Sequence, residues 1–237
     1  PAYWISVGQR QLAQRTGYAV MSPPNVMVTH LKSVIQSHAA ELLTRDATQN
    51  LVDQLRKKSP VVVDELIPDM FSLSQVQKVL QNLLHEDIPI KQLGLIFEAL
   101  GDNSQADVAT QTEMVRRRLA RTISSRFRDD QYRLNVFTLA PELETALEKS
   151  RTQTAGVTLT TTKLESLCQR IGQQLKPINK QSKPPVLLVK ASIRTYVRQL
   201  TQTLLPRLAV LSYAEVTEDT HVVTAAIISD EQHTSLP

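Results

Sequence analysis

A single cysteine among 237 residues rules out a disulfide framework within the chain and fits a reducing compartment. Cys168 shares a helical face with Leu164, Leu167, Ile171 and Leu175, which marks it as a small core residue rather than a nucleophile. Aromatic residues supply only 4% of the chain, too few for the stacking platforms of single-strand nucleic-acid binders. Six glycines leave no GxGxxG and no GxxxxGK(S/T), so there is no phosphate cradle, and neither a GxSxG elbow nor an HExxH pair occurs. The five histidines (His30, His38, His85, His221 and His233) have no CxxC or HxxxH partner spacing. His30 and His38, eight apart, fall about 80° from one another around a helix, which disfavours a shared metal. Carboxylate pairs such as Asp64/Glu65 and Asp129/Asp130 are adjacent in sequence and expected to be solvated. No catalytic residue, metal or cofactor is therefore expected, and the chain is not expected to be an enzyme. No apolar run approaches the roughly 18 residues a bilayer crossing needs, and no signal peptide is expected. Lysine plus arginine exceed aspartate plus glutamate by 27 − 23 = +4, too mild an excess to imply nucleic acid by itself.

What is present is helical patterning. From Val76 to Asp102 the chain reads VQKVLQNLLHEDIPIKQLGLIFEALGD. Val76, Val79, Leu80, Leu83 and Leu84 form the apolar stripe of one helix. Asp87 is expected to cap a second, with Pro89 in its first turn, Ile90, Leu93, Ile96, Phe97 and Leu100 inward, and Gly101 at its end. On pattern alone this corner is a packing unit. Before it come a helix-like QRQLAQR, a strand-like YAVM after Gly17, and a helical period from Val26 to Leu43. A further helix is expected over Ala47–Lys57, then a short one entered by Ser59-Pro60 and ended by Pro68, with Ser72 or Ser74 capping the next. After the corner, one long helix is expected from Gln111 to Phe127, burying Met114, Val115, Leu119, Ile123 and Phe127. Its outer face would carry Arg116, Arg117, Arg118, Arg121, Arg126 and Arg128. That face suits a solvated surface paired with carboxylates, or a phosphate-contacting patch without the usual aromatics and glycines.

From residue 131 the pattern changes to strands alternating with helices. RLNVFTLA is apolar on both faces, Pro141 opens ELETALEKS, and a threonine-rich stretch, 151–162, reads as loop or edge strand. A helix over Lys163–Leu175, a basic loop KPINKQSKPP, and a buried strand Val186–Val189 follow. Ser192 is expected to cap a helix, Ile193–Leu205, ahead of strands Leu208–Tyr213 and His221–Ile228; the residues after Ser229 read as a disordered tail. The expected fold class is a multi-subdomain α+β / α/β protein, a helical middle followed by a small α/β sandwich with a partly parallel sheet.

At the central block the residues resemble a known family. VQKVLQNLLHEDIPIKQLGLIFEALGD, with PAYWI, GYAVMSPPNVMVTHL, HAAELLTRDATQNLVDQL, MVRRRLARTI, PPVLLVKASIRTYVRQL and LPRLAVLSYAEV, is similar to the FHIPEP family of type III secretion export-gate proteins. The matches run in family order over about nine tenths of the chain, and 150–182 match only in outline. GYAVMSPPNVMVTHL, ELIPDMFSL and VLSYAEV favour the flagellar branch over the injectisome branch. The resemblance implies residues 1–42 as the end of a first cytoplasmic subdomain, 43–128 as a helical third, 129–230 as an α/β fourth and 231–237 as a tail. It also implies a multi-pass membrane half upstream, which agrees with a chain that begins on Pro1-Ala2-Tyr3-Trp4 as if midway through a longer protein. The implied role is a nonameric cytoplasmic ring at the inner membrane, with other export-apparatus proteins, that docks export chaperones carrying late substrates. Of the docking dimple it implies Met21, Val26, Val28 and Thr29, with Val28 where the family often has a small residue. Without the resemblance, Val26 and Val28 would be core positions at a helix start. Arg116, Arg117 and Arg121 are the candidates for a subunit interface. The alternative from another class is a basic nucleic-acid-binding module built on the 116–128 arginine helix.

Overall fold

The computed structural model describes residues 3–152, 168–172 and 184–229. Helices dominate the first half: α1 (Arg10–Arg15), α2 (Pro23–Ser37), α3 (Ala39–Leu42), α4 (Arg45–Lys58), α5 (Pro60–Asp64), α6 (Leu73–His85), α7 (Leu93–Gly101), α8 (Val108–Arg118) and α9 (Ala120–Phe127). The second half is β1 (Arg133–Leu139), α10 (Pro141–Thr152), a helical segment at 168–172, β2 (Val186–Val189), α11 (Ala191–Thr201), β3 (Ala209–Ser212) and β4 (His221–Ile228). The expected α+β / α/β architecture is the observed one. The expected YAVM strand is absent, and residues 18–22 carry no regular structure. The 151–162 stretch beyond Thr152, most of the 163–175 helix, the basic loop up to Lys183 and the tail from 230 lie outside the described residues.

Caps set the helix starts. Thr44 opens α4 by accepting the Ala47 N–H, and Ser72 opens α6 in a reciprocal capping box with Gln75. The corner after α6 closes differently from the expectation. Asp87 does not cap α7; it adopts φ 58°, and its N–H bonds the Leu84 carbonyl while the Ile88 N–H bonds the Leu83 carbonyl. This is a Schellman closure with Asp at the left-handed position usually given to glycine, and it drives Ile88 back into the core beside Leu83. Pro89 lies in the connection, and α7 begins only at Leu93, after Gln92. The long arginine helix is also broken: Leu119 (φ −86°, ψ 12°) ends α8, and α9 starts anew. Neither proline nor glycine stands at this break to explain it. Met114 is exposed rather than buried, and α11 is entered from Lys190 while Ser192 donates to Glu148.

The four strands lie in the order β3-β2-β1-β4, with every described pair parallel. The β1–β4 register shifts between Val136 and Phe137, which leaves Ala225 without an opposite number and bends that edge. Side chains alternate across the sheet. Leu134, Val136, Val186, Leu188 and Leu211 face the core of the helical half, whereas Phe137, Leu139, Leu187, Val189 and Val210 pack with Leu143 and Leu147 of α10 and Ile193 and Val197 of α11. All four residues of β2 are buried, as a central parallel strand covered on both faces requires. One apolar core therefore runs without interruption from Leu43 to Leu211, across the boundary expected near residue 128. By contrast, α1 and α2 bury no residue at all.

Candidate partner surfaces and a buried charge joint

The docking candidates sit on or beside α2. Met21, Val28 and Thr29 are exposed, and Val26 is half-buried. Thr29 donates its hydroxyl to the Asn25 carbonyl at 2.7 Å, the back-bond of a helical threonine, which leaves its methyl outward. Helical geometry separates Val26 and Val28 by about 200°, so the four residues do not share one face. Val28 instead joins Met27, Leu31, Val34 and Ile35 in an exposed apolar stripe, with exposures from 41% to 71%. The four candidates are thus accessible, and the stripe beside them is the larger apolar feature.

The arginine helix divides into two populations. Arg117 and Arg121 are exposed, with no charge partner among the described residues. Arg118 and Arg126 stand 3.8 Å from Glu98 and Asp87, loose surface pairs of small worth. Arg116, expected on the outer face, is 1% exposed, so its side chain cannot form part of a subunit surface. It lies on the same stripe as Thr112, Leu119 and Ile123 and points into the seam between α8 and the sheet. The expectation of one uniformly solvated arginine face is corrected accordingly.

In that seam three arginines meet three carboxylates. Arg116 Nη1 is 3.0 Å from Glu86 Oε2, and its Nε is 2.6 Å from Glu215 Oε1; both are close charge contacts without hydrogen-bond alignment. Arg194 of α11 clamps two carboxylates. Its Nη1 donates to Glu86 Oε2 at 2.7 Å and its Nη2 to Glu86 Oε1 at 3.1 Å, while its Nε and Nη2 hold both oxygens of Glu113. Arg198 stands 3.9 Å from Glu86 and donates to the Leu208 carbonyl at 2.8 Å. Glu215 in turn accepts the N–H and hydroxyl of Ser212. Burial opposes ionisation of Glu86, but the fields of Arg116 and Arg194 outweigh it and hold its carboxyl below the usual carboxylate range. For Arg194, burial likewise opposes the charge, and Glu113 and Glu86 more than compensate.

The arginines also cover the sheet edge. Arg116 and Arg194 each reach the Val210 carbonyl of β3 at 3.4 Å, and Arg198 takes the Leu208 carbonyl just ahead of the strand. A second polar joint lies alongside. Buried Ser124 of α9 donates to the Glu215 carbonyl at 2.7 Å and accepts the Thr217 N–H at 3.2 Å. This constellation ties the α6–α7 corner, α8, α9, α11 and β3 together. Sequence reasoning missed Glu86, Glu113, Glu215, Arg194 and Ser124, whose partners lie far apart in the chain. Among the described residues, no group of three or more His, Cys, Asp or Glu could hold a metal, and no helix is long and apolar enough to cross a membrane.

A helical body sharing one core with a parallel four-stranded sheet recurs in solved proteins. The chain superposes on the Chlamydia pneumoniae CdsV protein with a TM-score of 0.82 at 26% identity, covering 96% of this chain and 67% of that one. It superposes on nonameric EPEC SctV-C with a TM-score of 0.79 at 29% identity, covering 94% of this chain and 68% of that one. The FHIPEP family model matches residues 1–221, so the chain belongs to the FHIPEP family. Curated relatives include the flagellar biosynthesis proteins FlhA of Bacillus subtilis, 33% identical over 233 residues, and of Proteus mirabilis, 35% identical over 239. These alignments cover 96% and 98% of this chain but 34% of each relative, so the chain spans about a third of their length.

Proposed function

We propose that this chain is part of a cytoplasmic, ring-forming docking platform of the flagellar type III export apparatus at the bacterial inner membrane. It works by binding rather than by catalysis. The observation that carries this proposal is the family match over residues 1–221, joined to 33–35% identity with FlhA proteins across nearly the whole chain. The solved SctV-C relative is described as nonameric, which supports a ring for the parent protein; CdsV is also solved in complex with CdsO, which supports the binding of a partner protein. In this proposal residues 1–42 end a first subdomain, 43–128 form a helical one and 129–230 an α/β one, the last two welded by their shared core. Met21, Val26, Val28 and Thr29 contribute to chaperone docking through exposed apolar surface, and Arg117 and Arg121 contribute to subunit contacts. Arg116 belongs to the interior joint instead.

The test is a pull-down of flagellar export chaperones loaded with filament-type substrates, using the whole cytoplasmic half of the parent protein. Capture is expected, and Thr29→Asp, which puts a charge on an exposed position, is expected to weaken it about tenfold or more. Absence of capture by the unaltered protein, or full capture by the variant, overturns the docking assignment.

A further inference from the structure

Beside the charge joint, the seam between the helical half and the sheet opens into a crevice of about 250 Å³. Its walls are Ile88 and Phe127 from the helical side, Pro206 and Leu208 from the approach to β3, and four arginines, Arg116, Arg126, Arg198 and Arg207. With the groups that contact them counted, Arg116, Arg126, Arg194, Arg198 and Arg207 stand against Glu86, Asp87, Glu113 and Glu215, so the crevice and its joint carry 5 − 4 = +1. Glu86 is already saturated by Arg116 and Arg194. Asp87 is exposed and 3.8 Å from Arg126, a loose surface pair. Arg207 has no hydrogen bond or ion pair among the described residues and is exposed at the mouth. Arg198 lies deeper, 15% exposed; burial, with the neighbouring Arg194 and Arg116, makes its positive charge costly, and Glu86 and Asp87 offset part of that cost. Arg116, deeper still, brings Nε and Nη1 close to carboxylates without aligned hydrogen bonds.

We propose that this crevice is a binding site for an acidic peptide segment, taking one carboxylate side chain between Arg198, Arg207 and Arg126 and an adjacent apolar side chain against Phe127 and Leu208. Arg207, without a partner among the described residues, and Arg126, only loosely paired with Asp87, leave guanidinium charge at the mouth that suits an anion, and the forked donors of arginine match a carboxylate. The volume lies below the roughly 300 Å³ at which small-molecule pockets begin, so the crevice suits one or two side chains rather than a nucleotide. The apolar half of the lining separates a peptide from a free inorganic anion, which would leave Phe127, Ile88 and Leu208 without a partner. An incoming carboxylate would also ease the desolvated charge of Arg198. The site is independent of the α2 surface and of Arg117 and Arg121, so it stands or falls separately from the docking proposal.

The probe is a short fluorescein-labelled peptide alternating Glu and Leu, followed by anisotropy against this chain, with a Gln–Leu counterpart and inorganic phosphate as the other arms. The Glu–Leu peptide is expected to bind and the Gln–Leu peptide to bind at least about tenfold more weakly. Arg207→Glu and Arg126→Glu are each expected to weaken binding by roughly threefold to tenfold, as reversal of a partly exposed charge does. Arg15→Glu, a similar reversal on the exposed α1, is expected to leave it unchanged. Both crevice arginines are partly exposed, and far-ultraviolet circular dichroism confirms that the variants fold. Equal binding of the two peptides would show apolar adhesion alone. Full displacement by low phosphate without discrimination between peptides would show a free-anion site. Either result, or no peptide binding at all, overturns the proposal.

Discussion

Replacing Arg116 by Met keeps most of its aliphatic length but strips the seam of one charge. The guanidinium stands 3.0 Å and 2.6 Å from Glu86 and Glu215, and Glu215 is 2% exposed, so water cannot take its place. At an effective dielectric near 20, each such contact is worth on the order of 4 kcal/mol before desolvation is counted. Desolvation of three buried groups offsets much of that, so the intact joint contributes little net stability. Removing one partner is another matter, because it leaves a buried carboxylate unpaired, at a cost of about 3–5 kcal/mol. Arg194 shields Glu86 but does not contact Glu215, so the cost falls mainly on Glu215. The assay is urea unfolding followed by circular dichroism, and for a chain of this size the loss corresponds to roughly 10 °C in Tm. Arg116→Met/Glu215→Gln, which removes both charges, is expected to recover about 1–3 kcal/mol relative to the single variant. A loss below about 1 kcal/mol for Arg116→Met, or a double variant no more stable than the single, would refute the assignment of Arg116 as an interior tie.

Three further outcomes are expected. Glu86 has its folded pKa held below the unfolded value near 4.5, so its contribution is fully present above that pH and is lost as pH falls through the folded value. A stability–pH profile should therefore decline below about pH 4.5, and Glu86→Gln should flatten the decline while lowering stability at neutral pH. Asp87 occupies φ 58°, so Asp87→Gly should be neutral or stabilising by up to about 1 kcal/mol, whereas Asp87→Val should cost about 1–2 kcal/mol or more in the same unfolding assay. Arg117→Glu with Arg121→Glu, both exposed, should leave the fold unchanged yet impair ring assembly by the whole cytoplasmic half, measured by sedimentation velocity; intact rings would remove these residues from the interface.

Local patterning carried much of the architecture. The stripe Val76–Leu84 and the box Ser72–Gln75 depend on residues within a turn or two of each other, and the structure reproduces both. β2 and β4 were visible because continuous apolar runs bounded by turns have few other outcomes. Asp87 was misassigned because an Asp ahead of a proline looks like a helix start; what decides its role is the burial of Ile88, a tertiary demand. Arg116 was hidden inside a run of three arginines. Its spacing from Thr112, Leu119 and Ile123 placed it on the buried stripe, but the carboxylates that permit burial come from Glu86 and Glu215, remote in sequence. The docking candidates came from family resemblance alone; the structure makes them accessible, while helical geometry puts Val26 and Val28 on different faces of α2 and Met21 lies just ahead of that helix.

Deleting the gene for the parent protein in its own bacterium and assaying culture supernatant for flagellar filament protein tests the central proposal most directly. The proposal predicts that filament protein disappears from the supernatant and that the intact gene restores it. Normal filament secretion by the deletion strain would contradict it.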